Sequence, residues 1–285
     1  MNLKILILLL IQVFIFTKNE AQDSILNKPI HVFGLYSGLS YNILRDDAMF
    51  EDVNFNGFSV PVLFNYRYIG NKIRQDCSVY FTQTNLNASN TYLTTQLTVL
   101  NTYAYIDYSY NRKVFSNAKN SINFYTGLKI QSLINFRLYN DYQYYQNEVM
   151  CEQFTTLGLN LKVEKAYHNR DNLLCLNICF PFLAYSLVNN VYNQWVNSIS
   201  QELPITNKTK ITINDLWQLI REGELISFNR LFQFDTELSY TRFFNKHIGL
   251  ELKYSLMYYS FAQYSDILYS KNIDSRLLMG LVFRK

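Results

Sequence analysis

Leu231 to Ser260 reads LFQFDTELSYTRFFNKHIGLELKYSLMYYS, and this stretch decides the fold. Phe232, Phe234, Thr236, Leu238 and Tyr240 alternate with Gln233, Asp235, Glu237, Ser239 and Thr241. After a turn at Asn245–His247 the alternation resumes, with Ile248, Leu250, Leu252, Tyr254, Leu256 and Tyr258 opposite Gly249, Glu251, Lys253, Ser255 and Tyr259. Side chains on a strand switch faces at every residue, so each half of this hairpin has one apolar and one polar face. The polar faces carry ionised groups and the apolar faces are unbroken. Such a dyad repeat suits strands with lipid on one side and a polar lumen on the other.

The same period marks ten candidate strands, at about 32–43, 58–69, 74–86, 97–110, 121–139, 153–167, 172–185, 230–243, 247–260 and 275–285. Tight turns at Ile69–Ile73, Asn111–Asn120, Tyr167–Asp171 and Phe244–His247 alternate with longer connections. The longer ones are Leu44–Gly57, Asn87–Gln96, Asn140–Glu152, Ser186–Asn229 and Phe261–Asp274. An even strand number with short turns on one side and long loops on the other predicts a transmembrane antiparallel up-and-down β-barrel. The outward phase also places aromatics at both strand ends. Tyr66, Tyr68, Tyr108, Tyr110, Tyr240 and Phe283 are on the turn side; Tyr41, Phe58, Phe136, Phe182, Phe232 and Tyr258 are on the loop side. Rings with a polar tip favour the headgroup region, so two belts are expected at two interfaces.

Residues 1–22, MNLKILILLLIQVFIFTKNEAQ, combine Lys4, an apolar core from Ile5 to Phe16 and Ala21 before the expected cut. That core is too short for a membrane helix, which needs about 20 residues, and reads as a secretory signal peptide. Residues 23–285 are then one barrel domain. The formal net charge of +4, with no basic block, argues against nucleic acid. Polar residues on the turn side are mostly basic (Lys72, Arg74, Arg112, Lys113, Lys119, Arg170, Lys246, with Asp171 the lone acid), and the loops lean acidic (Asp46, Asp47, Glu51, Asp52, Glu148, Glu152, Glu222, Glu224). Of the four cysteines, Cys175 and Cys179 lie on one strand roughly 13 Å apart and cannot pair with each other; with Cys77 and Cys151 they read as isolated thiols.

The chain ends LLMGLVFRK, with Leu277, Met279, Leu281 and Phe283 on one face. This resembles the C-terminal signal strand of Gram-negative outer-membrane barrels, here with the aromatic third from the end. The pattern over nearly all of residues 23–285 resembles the small-barrel class of OmpA- and OmpX-like proteins. The resemblance implies an outer-membrane location, contact with outer-membrane lipids and recognition of the last strand by the barrel-assembly machinery.

Projected inward, the polar phase gives Arg67, Asp76, Asp107, Lys129, Arg137, Lys162, Glu164, Asp235, Glu237, Glu251, Lys253, Arg276 and Arg284. Charges in a crowded lumen are costly unless paired, so cross-strand ion pairs are expected among Asp107, Lys129, Lys162, Glu164, Asp235, Glu237, Glu251 and Lys253. Ten strands lie near the size at which side chains fill the interior. Inward glycines make room for Tyr36, Tyr103, Tyr105 and Tyr125. A plugged lumen is expected, with a narrow channel or an accessory subunit of a transport or secretion complex as the alternative.

No catalytic constellation emerges. His31, His168 and His247 fall on the turn side without a Ser–Asp partner, and the acidic first loop lacks a calcium-loop spacing. No cofactor is implied. The long connection 186–229 is the outlier. It holds Trp195 and Trp217, and Thr212 with Asp215 opens a short helical pattern in which Leu216, Leu219 and Ile220 share a face. Trp195, Leu216, Trp217, Leu219 and Ile220 form a candidate interaction surface, as long loops on rigid scaffolds often do. A surface-interaction or structural role is therefore expected.

Overall fold

The computed structural model describes residues 29–46, 53–88, 97–117, 121–140, 148–167, 172–190, 224–263 and 268–285. The expected signal peptide, the predicted helix near 212–223, and Trp195, Leu216, Trp217, Leu219 and Ile220 lie outside them, as does His168. Among the described residues there is no helix.

Twelve strands form one sheet: β1 Ile30–Asp46, β2 Asn54–Ser59, β3 Val62–Ile69, β4 Ile73–Ala88, β5 Thr98–Asn117, β6 Ile122–Asn140, β7 Glu148–Tyr167, β8 Asn172–Asn190, β9 Glu224–Ser227, β10 Leu231–Phe243, β11 Ile248–Gln263 and β12 Leu268–Arg284. Every pairing is antiparallel. β12 joins β1 along Val32–Asp46, and β10 joins β8 through Asp235–Cys179 to Arg242–Asn172. The order thus runs without a free edge around a closed up-and-down ring.

The strand count differs from the ten expected because two strands are interrupted. β2 and β3 both pair with β1 and β4, and Pro61 separates them, offering no N–H to the ladder. Its carbonyl accepts from Ser37 Oγ (2.9 Å). β9 and β10 both pair with β8, either side of a turn closed by Arg230 N–H on Ser227 C=O (3.0 Å). Twelve strands thus fill ten positions around the ring. The turn-side connections are 70–72, 118–121, 168–171 and 244–247. On the loop side the strands run further than the alternation suggested. β1 reaches Asp46, β7 starts at Glu148, and β11 and β12 continue to Gln263 and from Leu268. The connection 264–267 is consequently as short as a turn, not the long loop expected from Phe261 to Asp274. Buried polar residues such as Asp46, Glu152, Ser270, Asn272 and Asp274 give these extensions the composition of loops.

The facing follows the alternation. Leu35, Leu39, Phe64, Phe81, Ile106, Ile130, Leu252, Leu277, Met279 and Leu281 are exposed on the outer surface. Their neighbours in sequence are buried or half-buried inside. Tyr41 packs on Phe58 (centroids 4.7 Å) and Phe232 on Tyr258 (5.9 Å) in the loop-side belt. Inside, Leu44, Phe55, Leu86, Val99, Tyr139 and Met150 form a buried cluster at the loop-side mouth. Tyr36 lies at the opposite half, where Gly280 and Gly34 leave room for its ring. A Cβ on Gly280 would sit 2.2 Å from Tyr36 Cδ1, so only glycine permits this close approach.

Candidate functional site

The lumen concentrates the ionisable chemistry of the chain, because antiparallel register brings inward residues of neighbouring strands together. Lys129 on β6 lies 3.1 Å from Asp107 on β5 and 3.3 Å from Asp235 on β10. Lys162 Nζ meets Asp76 at 2.5 Å. Lys253 lies 3.1 Å from Glu237 and 3.5 Å from Glu251, with its ammonium 4.7 Å from the Tyr36 ring centroid. Arg67 closes on Glu251, and Tyr36 Oη donates to the same carboxylate at 3.1 Å. All eight residues expected to pair in the lumen are thus in ion pairs there, several with partners outside that set.

Other partners differ from the sequence reading. Arg74, read as a turn-side base, is buried and pairs with Glu164 at 3.0 Å. Asp46 and Glu152, read as loop acids, are buried around Arg137, which also lies near Tyr259 Oη. Asp274, read as the end of a loop, pairs with Arg276 at 2.6 Å. Arg284 was projected inward but lies at the turn-side rim, where Nε donates to Lys246 C=O (2.9 Å) and the guanidinium covers Phe243. The signal that could have found the missed residues is phase. Asp46, Glu152 and Asp274 each keep the inward parity of their strand.

These contacts stack as tiers along the axis. Nearest the turns, Arg74–Glu164 and Arg67–Glu251 fill the floor. Above them a cavity of about 50 Å³ is bounded by Asp76, Asp107, Lys129, Asp235, Glu237 and Arg276. Glu237, with 34% of its side chain exposed, opens onto this space. Its size suits a few waters rather than a solute. Next, the Arg276 guanidinium lies 3.9 Å from the Tyr80 centroid and 5.0 Å from that of Tyr105, and donates to Tyr105 Oη at 2.8 Å. Asp274 accepts from Ser40 at 2.5 Å. Arg137 with Asp46, Glu152, Tyr139 and Tyr259 forms the next tier, under the apolar mouth cluster.

Among the described residues, neither His31 nor His247 hydrogen-bonds a serine or cysteine side chain. His31 Nδ1 shares a hydrogen bond with Tyr66 Oη (2.8 Å), and His247 Nδ1 lies 3.2 Å from Arg284 C=O. Among the described residues no group of three His, Cys, Asp or Glu side chains is placed to hold a metal. Cys77, Cys151, Cys175 and Cys179 are all free thiols, the last two buried in the lumen.

No family model and no curated protein matches the sequence. Among solved structures, the chain is similar to the outer-membrane protease OmpT of Escherichia coli, with a TM-score of 0.50 at 7% identity over 90% of this chain and 97% of that one. The translocator domain of the autotransporter NalP of Neisseria meningitidis gives 0.41 at 7% identity, over 90% and 88%. The attachment invasion locus protein Ail of Yersinia pestis gives 0.32 at 9% identity, over 90% of this chain and 99% of that one. Only the OmpT score bears on the fold. The chain has the fold of a Gram-negative outer-membrane β-barrel, and its apolar outer face suits that membrane.

Proposed function

We propose that this protein is an integral outer-membrane β-barrel with a structural or surface-interaction role and a lumen plugged by its own side chains. The observation that carries this reading is the tiered interior. Buried ion pairs, an arginine stacked on tyrosines and an apolar mouth occupy the ring from end to end. Termini and tight turns face the periplasm in this reading, and the connections 47–53, 89–97, 141–147, 191–223 and 264–267 face the exterior. Contact with a protein partner is assigned to the 186–229 segment, and recognition by the barrel-assembly machinery to β12. The reading includes neither nucleic acid nor catalysis; proteolysis is a property of OmpT, and at 7% identity it is not carried over to this chain.

A narrow channel, or an accessory role in transport or secretion, is the second reading, favoured by the cavity beside Glu237. Planar-bilayer recording separates the two. Purified protein inserted into a bilayer is expected to give no stable unitary current at either polarity. Reproducible steps that scale with salt would replace the plugged barrel by the channel.

A further inference from the structure

The ionisable side chains are sorted by position in a way that pairing inside the lumen does not explain. Apart from Glu224 on the loop side, every Asp and Glu whose side chain is described faces the lumen. Outside the lumen, the turn-side rim exposes Lys72, Arg112, Arg242, Lys246 and Lys285 with no acid among the described residues; Asp171 lies outside these. A one-signed rim at a membrane interface attracts anionic headgroups.

The outer surface also holds an apolar groove, of about 240 Å³, in the turn-side half at the β12–β1–β3 seam. Phe33, Leu35, Phe64, Tyr66 and Phe283 shape it. Register fixes what lies next to it. Phe283, Phe33 and Tyr66 stand opposite one another on three strands. The next outward row toward the rim is Lys285, His31 and Tyr68, two residues or roughly 7 Å further on, tied by His31 N–H to Lys285 C=O (3.1 Å) and by the His31–Tyr68 pairing. The turn bearing Lys246 is held against this row, since Arg284 donates to Lys246 C=O and Arg284 N–H to His247 C=O (2.7 Å).

We infer that this seam is a binding site for one anionic glycerophospholipid of the periplasmic leaflet. An acyl chain lies in the groove, and the phosphate meets the ammonium groups of Lys246 and Lys285. Length along the strand matches the order of a lipid: chain toward mid-membrane, phosphate at the interface. Lysines reach such a phosphate by laying their stems on apolar surface while the charged end stays at the interface. The site is continuous with the belt through Tyr66, whose hydroxyl is fixed by His31. This inference rests on the membrane-barrel reading above.

The test uses the full protein in phosphatidylcholine vesicles with a trace of chain-spin-labelled phosphatidylglycerol, or of spin-labelled phosphatidylcholine in parallel. Heat-modifiable migration first establishes insertion; its absence in the wild type would overturn the barrel itself. With insertion established, the motionally restricted signal is expected to favour phosphatidylglycerol over phosphatidylcholine. Lys246→Gln with Lys285→Gln should lower that preference roughly tenfold, and Leu35→Trp, which fills the groove, should lower the restricted signal of the anionic lipid. Lys165→Gln, on β7 across the ring, should leave the preference unchanged. No preference in inserted wild type would overturn this site alone. An equal loss with Lys165→Gln would replace it by diffuse attraction around the rim. Displacement by inorganic phosphate at constant ionic strength, with Leu35→Trp silent, would reassign the lysines to a free anion.

Discussion

Arg137 shows most sharply how the lumen is held at the level of single residues. Its side chain is wholly buried, lies 2.7 Å from Asp46 and also contacts Glu152. Those two carboxylates lie at the ends of β1 and β7, so one guanidinium ties the loop-side ends of three strands. A buried pair adds little net stability over an apolar substitute, but removing one partner leaves charge behind and costs about 3–5 kcal/mol. Arg137→Met should therefore destabilise the protein by that order, read as a lower urea midpoint for heat-modifiable migration. Adding Asp46→Asn and Glu152→Gln should recover much of the loss; no recovery would mean that Arg137 acts through shape. The sequence made the inward position of Arg137 legible through parity along β6. It did not make its partners legible, because an acid at a strand end has the same composition as a loop.

At the level of the element, β11 carries the clearest contrast. Leu252 is 47% exposed on the outer face, while the side chain of Lys253 is 3% exposed between Glu237 and Glu251. Leu252→Arg sets a charge against lipid and should cost about 2–4 kcal/mol near the midplane. Lys253→Met keeps the stem but strands Glu237, while Glu251 retains Arg67. Its cost should fall when Glu237→Gln is added, whereas the cost of Leu252→Arg should not. A double-mutant cycle on refolded protein checks this, and coupling of Glu237 to residue 252 instead would mean that the facing is shifted by one residue. Alternation in Leu231–Ser260 was enough to assign these faces. The break at Pro61 and the turn between β9 and β10 were not legible, since an interrupted strand and a strand beside a loop leave the same trace.

At the level of the whole molecule, ring closure and loop content separate. β8 meets β9 through Leu183–Ser227 and Ser186–Glu224, and meets β10 from Cys179 to Asn172. At this seam the ring is closed by strands that flank residues 191–223. The loop-side mouth is likewise filled by strand side chains, Phe55, Leu86, Val99 and Tyr139 among them. A loop longer than closure needs adds only about 0.6 kcal/mol of entropy per doubling of length, so shortening it should not unfold the barrel. The proposed interaction surface, Trp195, Leu216, Trp217, Leu219 and Ile220, belongs to this connection and lies outside the described residues. Replacing residues 192–223 by a short Gly/Ser linker should keep heat-modifiable migration and the urea midpoint. It should remove protein partners recovered by cross-linking on intact cells. Retained partners would move the interaction surface to the other loop-side connections. A lost heat-modifiable form would show instead that the segment is a structural part of the mouth, and that the strands alone do not hold it closed.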